Sequence, residues 1–124
     1  MTWGQEIFRA FLLALGTIEI ITNASYLIKS DGLALARKQH GELPPNLSNK
    51  KIKRKVICMF SFGIAFFIVS LFTYVLRKYL PGIIFVTTLL FSLYGITEAL
   101  YYRYWKTFGF AFVTILLLIG SIVI

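Results

Sequence analysis

A glutamate and an asparagine lie within an N-terminal segment that is otherwise apolar enough to cross a membrane. On a helix, they share one face with residues spaced alternately by three and four. The full stripe is Gln5, Arg9, Leu12, Gly16, Glu19, Asn23, Tyr26 and Ser30. Because a carboxyl group is costly in hydrocarbon, the stripe predicts that Glu19 faces protein or water. Two roles stay open for Glu19: fixing helix packing, or binding a proton or cation.

A second glutamate, Glu98, lies in a similar stripe with Tyr94, and small or hydroxyl residues line the other apolar segments. The segments Gly16-Thr-Ile-Glu19 and Gly95-Ile-Thr-Glu98 share the pattern G-x-x-E. If the two halves of the protein were duplicates of one another, Glu19 and Glu98 would come together. We therefore predict an intramembrane polar site. Its members are Glu19, Asn23, Gly16, Tyr26, Glu98 and Tyr94.

His40 and Glu42 are the one pair whose types suit metal binding or acid–base chemistry. No third ligand or nucleophile accompanies them in the sequence, so we expect His40 to be a solvated loop residue. A lipid-modifying enzyme using this pair is the remaining catalytic alternative. We expect that the protein is not an enzyme and that it binds no metal and no cofactor.

A basic run, KKIKRK from Lys50 to Lys55, opens a helix for which Ser48 is a plausible cap. Cations at a helix N-terminus oppose the helix dipole, so the run is not explained by helix stability. Anionic lipid headgroups or a partner protein would offset the repulsion. The expected lipid- or partner-binding residues are Lys50, Lys51, Lys53, Arg54, Lys55, Arg37 and Lys38.

The elements that position these residues follow from hydropathy. The 124 residues are 58% hydrophobic, with a mean hydropathy of +0.78, which exceeds what a soluble core could bury. About 20 apolar residues cross a bilayer as a helix, and the chain has four such segments. They are residues 7–28, 56–76, 81–102 and 107–124. We predict an all-α polytopic membrane protein, with residues 1–124 forming one compact four-helix bundle.

Charge predicts the orientation. Of thirteen Lys and Arg residues, ten lie in or beside the connections 29–55 and 103–106, and three lie on the other side. The positive-inside rule places both connections in the cytoplasm and both termini outside the cell membrane. The net charge of +8 is concentrated at this one face, which favours anionic lipid over nucleic acid as its partner.

Two functions fit the sequence. The leading hypothesis is a non-catalytic membrane protein acting through protein–protein and anionic-lipid contacts, as an accessory subunit, a stabiliser or an immunity-type protein, with a membrane-protein partner or as a homo-oligomer. The alternative is a small dimeric proton- or cation-coupled transporter or channel using Glu19. In outline, four helices with a glutamate in the first are similar to the small multidrug resistance transporters. Those proteins have short loops, whereas this chain carries the basic loop 29–55, and the sequence assigns no family.

Overall fold

The computed structural model describes all residues from 1 to 124, and they form five α-helices without strands. The helices are α1 (Trp3–Ile28), α2 (Gly32–Gln39), α3 (Asn49–Val75), α4 (Pro81–Tyr102) and α5 (Trp105–Val123). All except α2 are long and apolar enough to cross a membrane. The predicted fold class, an all-α bundle with four membrane-spanning helices, is confirmed.

Local sequence explains where the helices begin. The Thr2 side chain accepts a hydrogen bond from the Gln5 amide, and the Gln5 side chain accepts one from the Thr2 amide. This reciprocal capping box starts α1 before residue 7, where hydropathy alone placed it. Pro81 starts α4, since its fixed φ and missing N–H suit the first helical position.

Glycines set the closest approach between helices. A Cβ on Gly16 of α1 would lie 2.6 Å from the Phe67 amide nitrogen of α3, and one on Gly63 would lie 2.9 Å from the Glu19 Cβ. A Cβ on Gly95 of α4 would lie 2.6 Å from the Thr114 hydroxyl of α5. The glycines therefore make two tightly packed pairs, α1 with α3 and α4 with α5.

The apolar core joins the two pairs. Its buried members are Phe8, Leu12, Met59, Phe66, Val69, Ile84 and Phe91. The rings of Phe62, Phe66 and Phe110 surround Phe91 with centroids 5.0–5.7 Å away. Most other large apolar side chains are exposed on the outer faces of the helices, as expected of surfaces that meet lipid.

The connection between α1 and α3 folds against one end of the bundle, which we call the loop end. A second apolar cluster of Ala36, Leu43, Ile52 and Val56 lies there. Arg37 donates hydrogen bonds to the Leu47 carbonyl at 2.7 Å and to the Asn49 side chain at 3.0 Å. Arg37, expected at a lipid- or partner-binding surface, thus directs its guanidinium to the loop backbone and to the first residue of α3.

Candidate functional site

The central residue of the polar site is Lys55, whose side chain is 1% exposed. It follows Ile52 by three residues and precedes Met59 by four, so the helix places it on the face of α3 that packs inward. The sequence groups Lys55 with the lipid- or partner-binding cations, and its burial contradicts this prediction. Helix register sets its direction, and its neighbours in the basic run point elsewhere.

Carboxylates from two elements surround the Lys55 ammonium. Its Nζ lies 2.9 Å and 3.1 Å from the two oxygens of Glu98 on α4, and 3.1 Å from Glu42 in the loop. The face of the Phe110 ring is 3.7 Å from the same nitrogen. Tyr94 donates its hydroxyl hydrogen to Glu98 at 2.8 Å. The buried charge is thus paired and hydrogen-bonded, which burial of an ion requires.

A second chain of contacts connects the loop to α1. The Asn23 amide nitrogen donates to the Glu19 carbonyl at 2.8 Å and to the Glu19 carboxyl at 2.7 Å. The Asn23 side-chain oxygen lies 3.0 Å from Nε2 of His40. Since this oxygen is an acceptor, Nε2 carries the hydrogen of that bond.

The other ring nitrogen of His40 faces an acceptor as well. Its Nδ1 lies 3.6 Å from the Glu42 carboxylate. The His40 ring therefore lies between Asn23 on α1 and Glu42 in the loop.

Glu42 is ionised in this setting. Burial alone would raise its pKa, but the hydrogen bond from His40 and the Lys55 ammonium outweigh that effect and lower the pKa from 4.5 to about 2. The carboxylate lies between the His40 ring and the Lys55 ammonium, so it connects the His40 contacts to those of Lys55.

The resulting chain of polar side chains runs from α1 through the loop to α3 and α4. In order it contains Glu19, Asn23, His40, Glu42, Lys55, Glu98 and Tyr94. The expectation of a solvated His40 is wrong, because its side chain is 4% exposed and held by α1. Glu19 and Glu98 lie toward opposite ends of this polar chain and have different hydrogen-bond partners. Gly16 packs against α3 beside it, and Tyr26 places its ring edge-on to His40.

A separate buried cation lies near the opposite end of the bundle. Arg9 donates to the Thr73 carbonyl at 3.0 Å and to Glu6 at 2.9 Å, and its guanidinium lies 4.0 Å from the centre of the Tyr74 ring. Its charge is therefore compensated by Glu6 on its own helix. Glu19 has no share in these contacts.

The rest of the basic run lies on the outside of the bundle and lacks the ion pairs of Lys55. None of the cations Lys50, Lys51, Lys53 and Arg54 lies within 4.0 Å of a carboxylate. Lys51 and Arg54 lie 5.6 Å and 5.5 Å from the centre of the exposed Tyr101 ring. We call these four residues the basic surface. Lys38 is exposed on α2 at the same end.

The second feature open to a ligand is a cleft of about 590 Å³ between α1 and α5. Eleven of its thirteen lining residues are hydrophobic, and Glu19 supplies the carboxyl group. Toward the end opposite the loop, Phe8 approaches Gly120 and Gln5 lies beside the Ile124 carbonyl. These contacts close the cleft at that end, while its side stays open between the two helices.

The sequence contained a signal for Lys55 but none for the position of His40. Ile52, Lys55, Val56 and Met59 follow a helical stripe that continues to Gly63, so helical register alone identifies Lys55 as inward-facing. His40 reaches Asn23 only because the loop folds back on the bundle. Comparison with protein-family models, curated proteins and solved structures finds no match to this chain.

Proposed function

We propose that this chain is a small non-catalytic membrane protein that acts by binding another membrane protein, as an accessory or stabilising subunit or an immunity-type protein. The carrying observation is the contrast between its two sets of charges. The cations Lys55 and Arg9 are buried and paired, whereas the basic surface has no carboxylate partner. The cations of the basic surface are therefore available for recognition.

The proposed orientation puts the basic surface in the cytoplasm of a cell, with both termini outside. Lys50 to Arg54 precede the apolar part of α3, so they lie at the depth of lipid headgroups. Each cation near an anionic leaflet contributes about 1 kcal/mol of attraction. Lipid holds this face at the membrane surface, and an acidic region of the partner competes for the same side chains.

The contacts from Asn23 through Lys55 to Tyr94 support a structural role for these interior groups, apart from the Glu19 carboxyl group. Lys55 occupies the space between Glu98 and Glu42, and His40 joins Glu42 to α1. These contacts fasten the loop to α1 and α3, join α3 to α4, and hold the basic surface at a fixed height. Groups that satisfy one another in this way are occupied in holding the fold.

The test is quantitative affinity purification of the protein from its host membrane. The variant Lys50→Gln/Lys51→Gln/Lys53→Gln leaves seven of the ten predicted cytoplasmic cations, so the orientation is kept. Its matched control is Arg77→Gln/Lys78→Gln, which neutralises exposed cations at the opposite end. We expect the partner to be lost from the first variant and retained by the control. Equal recovery from both would contradict the proposal.

A second candidate, a dimeric proton- or cation-coupled transporter or channel, is favoured by one observation. Glu19 lines the α1–α5 cleft and receives its side-chain hydrogen bond from Asn23 alone. Proteoliposomes containing purified protein distinguish this function, since a proton or cation flux that Glu19→Gln abolishes would establish it. Absence of any flux above that of empty vesicles would remove it.

A further inference from the structure

The α1–α5 cleft combines an apolar lining with one acidic group in the membrane-spanning part of the protein. Its surfaces come from Phe11 and Leu15 on α1 and from Val113 and Leu116 on α5. The volume of about 590 Å³ is within the range of ligand-binding clefts, and the side toward lipid is open.

Glu19 is held at this groove by its neighbours. Its Cβ lies against Gly63, where any larger residue would displace it, and Asn23 fixes its carboxyl group at 2.7 Å. No Lys, Arg or His lies within 4.0 Å of it. The other two acidic groups of the polar chain, Glu42 and Glu98, each have a cation at 3.1 Å or less. Glu19 is the membrane-embedded acid that lacks a counter-charge.

We propose that the cleft binds a transmembrane helix of the partner protein, and that a Lys or Arg in that helix pairs with Glu19. The apolar walls take the side chains along one face of the helix, and the cation supplies the missing charge. Charged groups within membranes are placed against one another for this reason. This inference rests on the proposed function, because it states where and by what chemistry the partner binds.

The position of the cation follows from the position of Glu19. Nine residues separate Glu19 from the end of α1 at Ile28, which is roughly 14 Å along the helix axis. The partner's basic residue is therefore expected at that depth from the loop end. Its apolar residues on the same face would contact α5 toward Gly120.

The first test uses defined peptides with purified protein in lipid vesicles. The probe is a transmembrane peptide of about 22 leucine and alanine residues with one lysine roughly 14 Å from the end that corresponds to the loop end. Its control has leucine in place of lysine. A photo-crosslinking amino acid is placed at Leu116 in the cleft, or at Ile68 on α3 as the matched control, which is 46% exposed against 49% for Leu116.

We expect Leu116 to capture the lysine peptide about five- to tenfold more efficiently than the leucine peptide, an energy scale typical of polar contacts in membranes. Glu19→Gln should abolish this preference while leaving the fold intact, since the glutamine side-chain oxygen still accepts from Asn23. Equal capture of both peptides, or equal capture from Ile68, would overturn the proposal.

The second test uses the same two crosslinking positions in the host membrane. We expect Leu116, but not Ile68, to capture a transmembrane segment that contains Lys or Arg. Capture of lipid only, of a second copy of this chain, or of a segment without a basic residue would overturn the inference. If a partner co-purifies yet crosslinks equally from both positions, the inference fails and the proposed function stands. If no protein co-purifies, the proposed function itself fails.

Discussion

Replacing Lys55 should lower the stability of the bundle by a measurable amount. Replacing it with Met keeps a side chain of similar length but leaves two carboxylates without their shared cation. Glu98 is the more affected, because its side chain is 5% exposed against 21% for Glu42. Removing one partner of a buried ion pair costs about 3–5 kcal/mol, since the remaining charge stays desolvated. For a chain of this size the midpoint of thermal unfolding should fall by about 10 °C or more.

The matched control is Lys53→Met, which removes an exposed cation two residues away. Its effect should be within about 0.5 kcal/mol, as for surface substitutions in general. The assay is thermal unfolding of both variants in the same lipid nanodiscs at pH 7. If Lys55→Met and Lys53→Met unfold at the same temperature, Lys55 is not buried among carboxylates and the polar chain is refuted.

A double-mutant cycle with Glu98→Gln isolates the contact itself. Glutamine removes the charge beside Lys55 while keeping an oxygen for the Tyr94 hydroxyl. The double variant should be more stable than the sum of the two single losses predicts, by about 1 kcal/mol or more. Strictly additive losses would show that the two side chains act independently.

Three further predictions concern packing and the loop. Gly16→Ala should destabilise the bundle by about 1–3 kcal/mol because the new methyl meets the α3 backbone, whereas Gly109→Ala, with no atom within 4 Å, should be tolerated; chemical unfolding of both variants checks this. For Glu42, the folded pKa of about 2 lies below the ordinary value of 4.5, so its stabilisation is present above pH 4.5 and is lost as the pH falls toward 2. The unfolding temperatures of the wild type and Glu42→Gln should therefore converge over that interval, and a constant gap would contradict the assignment. His40→Phe should loosen the loop and speed tryptic cleavage after Lys38, measured as a cleavage rate, and an unchanged rate would show that the His40 contacts do not hold it.

The membrane-spanning helices could be predicted because hydropathy acts over many residues at once. The break after α2 was also visible, since Pro44 and Pro45 lack amide donors and follow Gly41. These glycine and proline residues are short-range signals, because their effect on the backbone does not depend on the rest of the fold. This explains why the sequence predicted where helices occur more readily than what they contact.

The polar site depended on contacts that no local pattern contains. Glu98 was predicted to face inward, but its cation was not identified, because Lys55 was grouped with the rest of the basic run and its position in the helical stripe was not used. His40 and Glu42 enter the site through the fold of the loop on Asn23 and Lys55. Two of the seven residues of the polar chain therefore come from a segment with only a short helix. Their positions depend on the tertiary fold and not on local sequence.

The most direct measurement is native mass spectrometry of the protein gently extracted from its own host membrane. We predict a complex containing this chain and a second membrane protein in fixed stoichiometry. We also predict that this complex dissociates in the Lys50→Gln/Lys51→Gln/Lys53→Gln variant and persists in Arg77→Gln/Lys78→Gln. A homodimer without any other protein would contradict the account and would favour the transporter function of Glu19.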